Sequence, residues 1–234
     1  GEVLFYRSRS GIELTPSGKV FVVKAQSLKE AYNGLDISEN QENQFGNRVI
    51  TIGCHPTVAQ YSIPSALSYL KKKAPDYKIQ LIHDVSRKIQ DGIQKGQIDI
   101  ALVSNPVEVP DLVIKQIGND IVKIWSSKKS TNLDTIICDP EIFQTHSILK
   151  HWEDKPHKLL STQNFGLICR MVDKEIGYGI IPERAVAMSG LKLTPHNELP
   201  SHNDSICIIH RPEFGKNTAE RLVIDALKQS VVKL

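Results

Sequence analysis

Hydrophobic and polar positions change rhythm along this chain, and each change marks an element. Near the start, Val3-Leu4-Phe5-Tyr6 and Ile12-Glu13-Leu14 flank a basic tip, Arg7-Ser8-Arg9-Ser10-Gly11, the pattern of a small two-stranded hairpin with a cationic turn. Such a hairpin needs a partner to pack on and nothing downstream supplies one, so the start of a natural domain is expected upstream of Gly1. Thr15-Pro16-Ser17-Gly18 then reads as a helix start, with Thr15 as N-cap and Pro16 at the first helical position, where its missing N–H is no loss. From Lys19 to about Glu39 the apolar residues Val20, Val23, Leu28, Ala31, Tyr32 and Leu35 keep helical spacing among lysines and glutamates. An apolar stripe without an adjacent core seeks another helix; its own copy across a two-fold axis is expected, and packing on the rest of its own chain is the alternative. Asn40 to Asn47, polar with one glycine, reads as a hinge.

From Arg48 strands and helices alternate. Val49 to Gly53 is a strand. Ile63, Ala66, Leu67 and Leu70 mark a helix running into Lys71-Lys72-Lys73, cations suited to a helix C-terminus, and Pro75 stops it. Strands at Lys78–Ile82 and Ile98–Val103 enclose a helix at Arg87–Lys95 closed by Gly96, which makes successive β-α-β units and a parallel sheet; the sheet continues with Ile121 to Trp125. A second set follows the polar Ser126–Asn132: strand Thr135–Cys138, helix Ile142–Leu149, strand His157–Leu160, and a helix starting at Ser161 or Thr162 with Phe165, Ile168, Cys169, Val172 and Ile176 on one face. Gly177-Tyr178-Gly179-Ile180-Ile181-Pro182 turns into a strand, Glu183–Met188 is a short helix ended by Gly190, and Ile206–Ile209 is a strand. Asn217 with Glu220 three residues on opens the last helix. That strand and helix are expected to return to the first module, so that the chain crosses between modules near Trp125–Lys129 and near His202–Ser205.

Composition narrows the class. The 234 residues are 40% hydrophobic, enough for a buried core, and 29 Lys plus Arg against 26 Asp plus Glu leave +3, so nucleic-acid affinity would have to come from a local basic patch. No apolar stretch reaches the roughly 18 to 20 residues of a spanning helix and no signal-peptide pattern opens the chain; a cytoplasmic protein with no membrane partner is expected. Cys54, Cys138, Cys169 and Cys207 are scattered in apolar runs without a C-x-x-C pair, as buried thiols are, and only Arg170 beside Cys169 would favour a thiolate. The eight histidines form no H-x-x-x-H pair on a shared helix face, and G-x-S-x-G, G-x-x-x-x-G-K-[ST] and strand-following G-x-G-x-x-G motifs are absent. An enzyme, a metal site or a cofactor therefore has no constellation to rest on.

Several fragments in order resemble a known family. Leu4-Phe5-Tyr6-Arg7 followed by Leu14-Thr15-Pro16-Ser17-Gly18 resembles the end of the winged helix-turn-helix of LysR-type transcriptional regulators, roughly L-F-x-R and then L-T-x-x-G. Ile52-Gly53, Ile63-Pro64, Ala74-Pro75, Gly92, Gly96-Gln97-Ile98-Asp99-Ile100-Ala101 and Gly177 to Pro182 follow in the order of that family's effector-binding domain. The resemblance implies an α/β fold with two Rossmann-like subdomains like a type 2 periplasmic-binding protein, preceded by a long linker helix. It divides the chain into a wing remnant at 1–15, a linker helix and hinge at 16–47, and an effector-binding domain at 48–234, with one subdomain at 48–125 and 205–234 and the other at 126–204. It further implies a DNA-binding regulator working as a homodimer or tetramer. Dimerisation would fall to Val20, Val23, Leu28, Tyr32 and Leu35, and wing phosphate contacts to Arg7 and Arg9, a pair that on residues alone is more often a solvated tip than a DNA contact.

Position points to the ligand site. In open parallel sheets small molecules bind beyond the carboxyl ends of strands, where loops lead into helix N-termini. The loops that qualify hold Cys54-His55-Pro56-Thr57-Val58, Ser104-Asn105-Pro106, Asp139-Pro140-Glu141 and Ser161-Thr162-Gln163-Asn164. Candidate effector contacts are thus His55, Thr57, Val58, Ser104, Asn105, Asp139, Thr162 and Gln163, joined by Tyr178 in its glycine turn. Thr57 leads, since a hydroxyl at a helix start can donate to a carboxylate; it reads equally as a cap or turn residue, and Pro64, expected in the first turn, makes Ser62 as good a cap. Asp139 and Glu141 would repel an anion and suit an amine or hydroxyl, or simply cap a helix, so the effector's polarity stays open. The other functional reading is a free-standing solute-binding protein, which would have no use for the long N-terminal helix.

Overall fold

The structure, a computed structural model, describes residues 2–8, 11–33, 48–128 and 133–231. Strands β1 (Phe5–Ser8) and β2 (Gly11–Leu14) form the expected antiparallel hairpin, with Arg7 opposite Ile12. Helix α1 (Pro16–Asn33) follows, and its cap explains the Leu-Thr-x-x-Gly pattern. Thr15 Oγ1 accepts the Gly18 N–H at 2.8 Å and donates to the Val3 carbonyl, while the Leu4 carbonyl lies 1.8 Å from where a Cβ on Gly18 would stand, so only glycine lets hairpin and helix meet. Val20, Val23 and Leu28 are 56%, 44% and 72% exposed in the single chain. Arg9, Leu35 and the Asn40–Asn47 hinge lie outside the described residues, as do the side chains of Arg7 and Tyr32.

The remaining strands are β3 (Ile50–Cys54), β4 (Ile79–His83), β5 (Ile100–Ser104), β6 (Val113–Ser127), β7 (Thr135–Cys138), β8 (Lys158–Ser161), β9 (Tyr178–Pro182), β10 (Leu193–Pro195) and β11 (His202–His210). The helices are α2 (Pro56–Lys73), α3 (Ser86–Gln94), α4 (Phe143–His151), α5 (Phe165–Asp173), α6 (Glu183–Ser189) and α7 (Thr218–Val231). They build one continuous sheet of order β4-β3-β5-β11-β6-β9-β7-β8, with β10 beside β6. At one end β3 pairs parallel with β4 and β5; at the other β7 pairs parallel with β8 and β9. Between them run β6 and β11, antiparallel to their neighbours.

Each end is a three-layer lobe, because its strands are apolar on both faces and need helices on both sides. In the first lobe, Ile50, Ile52, Leu102 and Ile208 pack under α2 and α7, and Ala101, Val103 and Ile209 under α3. In the second, Ile137 and Ile181 pack under α5 and α6, and Ile136, Cys138 and Ile180 under α4. Each of the isoleucine, leucine and valine side chains so withdrawn from water stabilises the fold by about 1.5–3 kcal/mol before entropy is counted.

Several boundaries differ from the sequence expectation. The crossing expected near Trp125 occurs earlier: β6 pairs with β11 as far as Val122 and with β9 from Val122 onward, and Val122 and Ile124 already belong to the second lobe's core. Helix α2 begins at Pro56, so Pro64 sits in its middle; proline is tolerated there because it and Gln60, whose carbonyl it leaves free, are exposed. Ser62 is then no cap but a buried residue donating to the Val58 carbonyl at 2.6 Å. Asn164, not Ser161 or Thr162, caps α5 by accepting the Leu167 N–H, and the helix stops at Asp173, which leaves Ile176 45% exposed.

Candidate functional site

The first-lobe loops are braced from beneath. Gln90 of α3, 3% exposed, donates to the Val107 carbonyl at 2.7 Å and accepts the Val107 N–H at 3.0 Å. The Ser104 N–H donates to Ser86 Oγ. Asn105, at a left-handed φ of 48° that asparagine tolerates, donates its backbone N–H to the Ser205 carbonyl at 3.0 Å and accepts the Ser205 N–H on Oδ1 at 2.9 Å. These bonds fix the carboxyl end of β5 against β11, the strand that leads to the other lobe.

Where the lobes face each other they enclose a cavity of about 580 Å³. Its first-lobe wall carries His55, Thr57, Val58 and Tyr61 from the start of α2, Ser86 and Arg87 from α3, and Ser104 to Val107. The second lobe adds Glu141, Phe143, Gln144 and Phe165, and the floor holds Asp120 and Val122 of β6 with Asp204 and Ile206 of β11. Four helices, α2 to α5, present their first turns to this space, so positive dipole ends converge on it, and α3 and α4 have no side-chain cap at their starts. Rings meet across it: His55 of one lobe and Phe165 of the other are 6.0 Å apart.

Of the residues expected from sequence, His55, Thr57, Val58, Ser104 and Asn105 line the cavity together, and Asp139, Thr162, Gln163 and Tyr178 do not. His55, rather than Thr57, is the N-cap of α2: its Nδ1 accepts the Thr57 N–H at 3.2 Å, which leaves the Thr57 hydroxyl uncommitted among the described residues. Burial lowers the His55 pKa, with Asp139 pulling the other way. Asp139 is fully buried; Oδ1 accepts the Glu141 N–H at 3.0 Å, so it shapes the loop beneath the cavity. Thr162 Oγ1 accepts the Asn164 N–H in the turn before α5, and Gln163 is exposed there. Tyr178 stands edge-on between Trp152 and His196, a packing residue of the second lobe.

The floor was missed. Asp120 and Asp204 stand opposite each other in the β6–β11 register, 7% and 5% exposed. Asp204 accepts from Asn105 Nδ2 at 2.7 Å and from Gln144 Nε2 at 2.8 Å, so one carboxylate is clasped by both lobes. Asp120 Oδ1 accepts the Ile121 and Arg184 N–H groups. Burial pushes the Asp120 carboxyl up from 3.8 to about 6, against those hydrogen bonds and the charge of Arg184, and burial likewise raises Asp204. In the sequence Asp120 stands just before the strand expected at Ile121 and Asp204 within the crossing expected at His202–Ser205, and no local pattern sets either apart as a site residue.

The four cysteines are free and buried. Burial pushes the Cys54 thiol up to about 12 and Cys138 to about 11, and raises Cys169 and Cys207. No helix among the described residues is long and apolar enough to cross a membrane.

The fold and cleft have known counterparts. Full-length OxyR from Pseudomonas aeruginosa, in a cysteine-to-aspartate variant, superposes with a TM-score of 0.72 at 18% identity, over 97% of this chain and 79% of that one, a likeness of fold. The HTH-type transcriptional regulator EstR of Acinetobacter baylyi is 23% identical over 257 residues, spanning 100% of this chain and 84% of its own length. The uncharacterized HTH-type transcriptional regulator YcgK of Bacillus subtilis is 28% identical over 109 residues, 46% of this chain and 33% of its own length, so the match spans about a third of that relative. The description "LysR substrate binding domain" fits residues 43–231. With most of its length inside that match, and with two α/β lobes of the type 2 periplasmic-binding kind around a cleft, the chain belongs to the LysR family.

Proposed function

We propose that this chain is the effector-sensing and dimerising part of a LysR-type, DNA-binding transcriptional regulator, and that a small molecule held between its lobes sets their relative pose. The observation that carries this reading is the 580 Å³ cavity at the junction of two lobes joined through the strands β6 and β11. A ligand touching both walls binds one lobe arrangement better than another and so shifts an existing equilibrium by its differential affinity. Helix α1, with Val20, Val23 and Leu28 exposed, would pair with a second copy and carry that shift to the DNA-reading heads, where the β1–β2 hairpin serves as the wing. A free-standing solute-binding protein is the less favoured reading, because the matched family and EstR are regulatory and α1 has no role in such a protein. Thiol oxidation as the signal fits poorly, since each thiol is buried and held protonated at neutral pH.

Calorimetry with a broad metabolite library tests the proposal. A ligand is expected whose binding is lost in Thr57→Trp, which fills the cavity wall, while the variant keeps the wild-type circular dichroism. A ligand that binds the variant with unchanged affinity removes the cleft from the sensing role.

A further inference from the structure

The cavity floor holds polar groups that the fold leaves unsatisfied. Tyr61 lines the cavity at 6% exposure, and its hydroxyl has no hydrogen-bond partner among the described residues. A buried hydroxyl is seldom left without a partner, because it gives up water and gains nothing in return. Beside it, Asp120 spends Oδ1 on the Ile121 and Arg184 N–H groups, and Oδ2 accepts from no group among the described residues. Asp204, across the register, is held by Asn105 and Gln144, both neutral donors. Both carboxylates act electrostatically on Tyr61.

The charges around this floor are unbalanced. Arg184 lies with its guanidinium 5.3 Å from the Tyr61 ring centre, and its side-chain donors go to the Asn119 and Val231 carbonyls rather than to a carboxylate. His202 Nε2 is 3.6 Å from Asp204. The cavity's other formal charges are Glu141 and the exposed Arg87 at its edge. An anion placed on the floor would meet two carboxylates at close range; a neutral hydroxyl could take one hydrogen bond but would leave the charge in place. A protonated amine donates in three directions, supplies the missing charge and gives Tyr61 Oη and Asp120 Oδ2 a donor to accept from.

We propose that Tyr61, Asp120 and Asp204 form a seat for a protonated amino group, so that the cleft selects primary amines over alcohols and carboxylates of the same skeleton. The inference rests on the reading of the cleft as the effector site. Phe143 and Phe165, which also line the cavity, supply an apolar wall for the remainder of such a ligand and leave the floor as its polar end.

The test is calorimetric titration of the full chain, at about pH 7.5, with matched probes: benzylamine, benzyl alcohol and benzoate, then butylamine, butanol and butyrate. The amines are expected to bind about tenfold or more tightly than their partners, the span of a charge-assisted hydrogen bond to a desolvated carboxylate. Asp120→Asn is expected to abolish that preference. Tyr61→Phe is expected to weaken amine binding while the melting temperature without ligand stays the same or rises, since an unpartnered hydroxyl is removed; a purely structural tyrosine would lower it. Benzoate or benzyl alcohol binding as tightly as benzylamine, or amine affinity unchanged in both variants, overturns the seat. Where such a ligand is still lost on Thr57→Trp, the cleft stands as the effector site and only the amine selectivity falls. No binding by either amine at millimolar concentration also overturns the seat, and the broad library then decides the cleft reading separately.

Discussion

Asp120→Asn separates what the cleft floor does for stability from what it does for binding. In the wild-type chain the carboxyl faces Asp204 across the strand register and Tyr61 from α2, with Arg184 the one cation acting on it among the described groups. Burial lifts its pKa from 3.8 to about 6, so the folded protein holds this proton more tightly than the unfolded chain. The resulting stabilisation is complete below about pH 3.8, is lost as pH rises through about 6, and above that the ionised group opposes folding by about 3 kcal/mol relative to acid conditions. Asparagine keeps an acceptor for the Ile121 and Arg184 N–H groups and removes the charge, while its amide must face the cavity. We expect the variant to be more stable than wild type by about 1–3 kcal/mol at pH 7.5 or so, with the gain shrinking toward zero near pH 4. Urea unfolding of both proteins at intervals from about pH 4 to 8 reads the difference directly, since shared acid effects cancel. A difference that stays flat across this range, or a variant less stable at neutral pH, would refute the claim that a desolvated charge is held on the floor.

Other consequences follow from the same geometry. Gln144→Ala removes one of two neutral donors from buried Asp204 and a link between the lobes; a loss of about 1–3 kcal/mol in urea unfolding is expected at neutral pH. It should be smaller at acid pH, where the raised Asp204 carboxyl takes up its proton. Glu220, 4% exposed, accepts from Arg48 at 2.7 Å and from the Gly215 and Lys216 N–H groups. Glu220→Ala takes this acceptor from two loop N–H groups and from Arg48, which is half-exposed and keeps Asp99, and should destabilise the first lobe by about 1–2 kcal/mol, seen as a lower urea midpoint with an unchanged slope. The four thiols should react with a disulfide reagent only at the rate of unfolding, so a fast stoichiometric reaction in native buffer would contradict their burial.

Much of the fold was legible because local signals agreed with the tertiary outcome. The apolar runs at Ile50–Cys54, Ile100–Val103 and Ile136–Cys138 could be stable only between helix layers. The Leu-Thr-Pro-Ser-Gly segment predicted its helix start correctly, since a cap needs only residues close in sequence. Half of the site was equally readable, because loops at the carboxyl ends of parallel strands must lead into helix N-termini: His55, Thr57, Val58, Ser104 and Asn105 follow from that rule and meet in the cavity.

What the sequence could not specify is everything that depends on β6 and β11 running antiparallel through both lobes. Pairing across roughly 80 to 97 residues put Gly118-Asn119-Asp120, ahead of the strand expected from Ile121, in the middle of a strand, moved the lobe boundary away from Trp125, and set Asp120 opposite Asp204. A carboxylate's burial, its raised pKa and the orphaned hydroxyl above it arise from neighbours distant in the chain. Periodicity and propensity report only local preference, so they determined the elements and the family's order, while long-range strand register and the desolvation it imposes decided where the charge of the cleft resides.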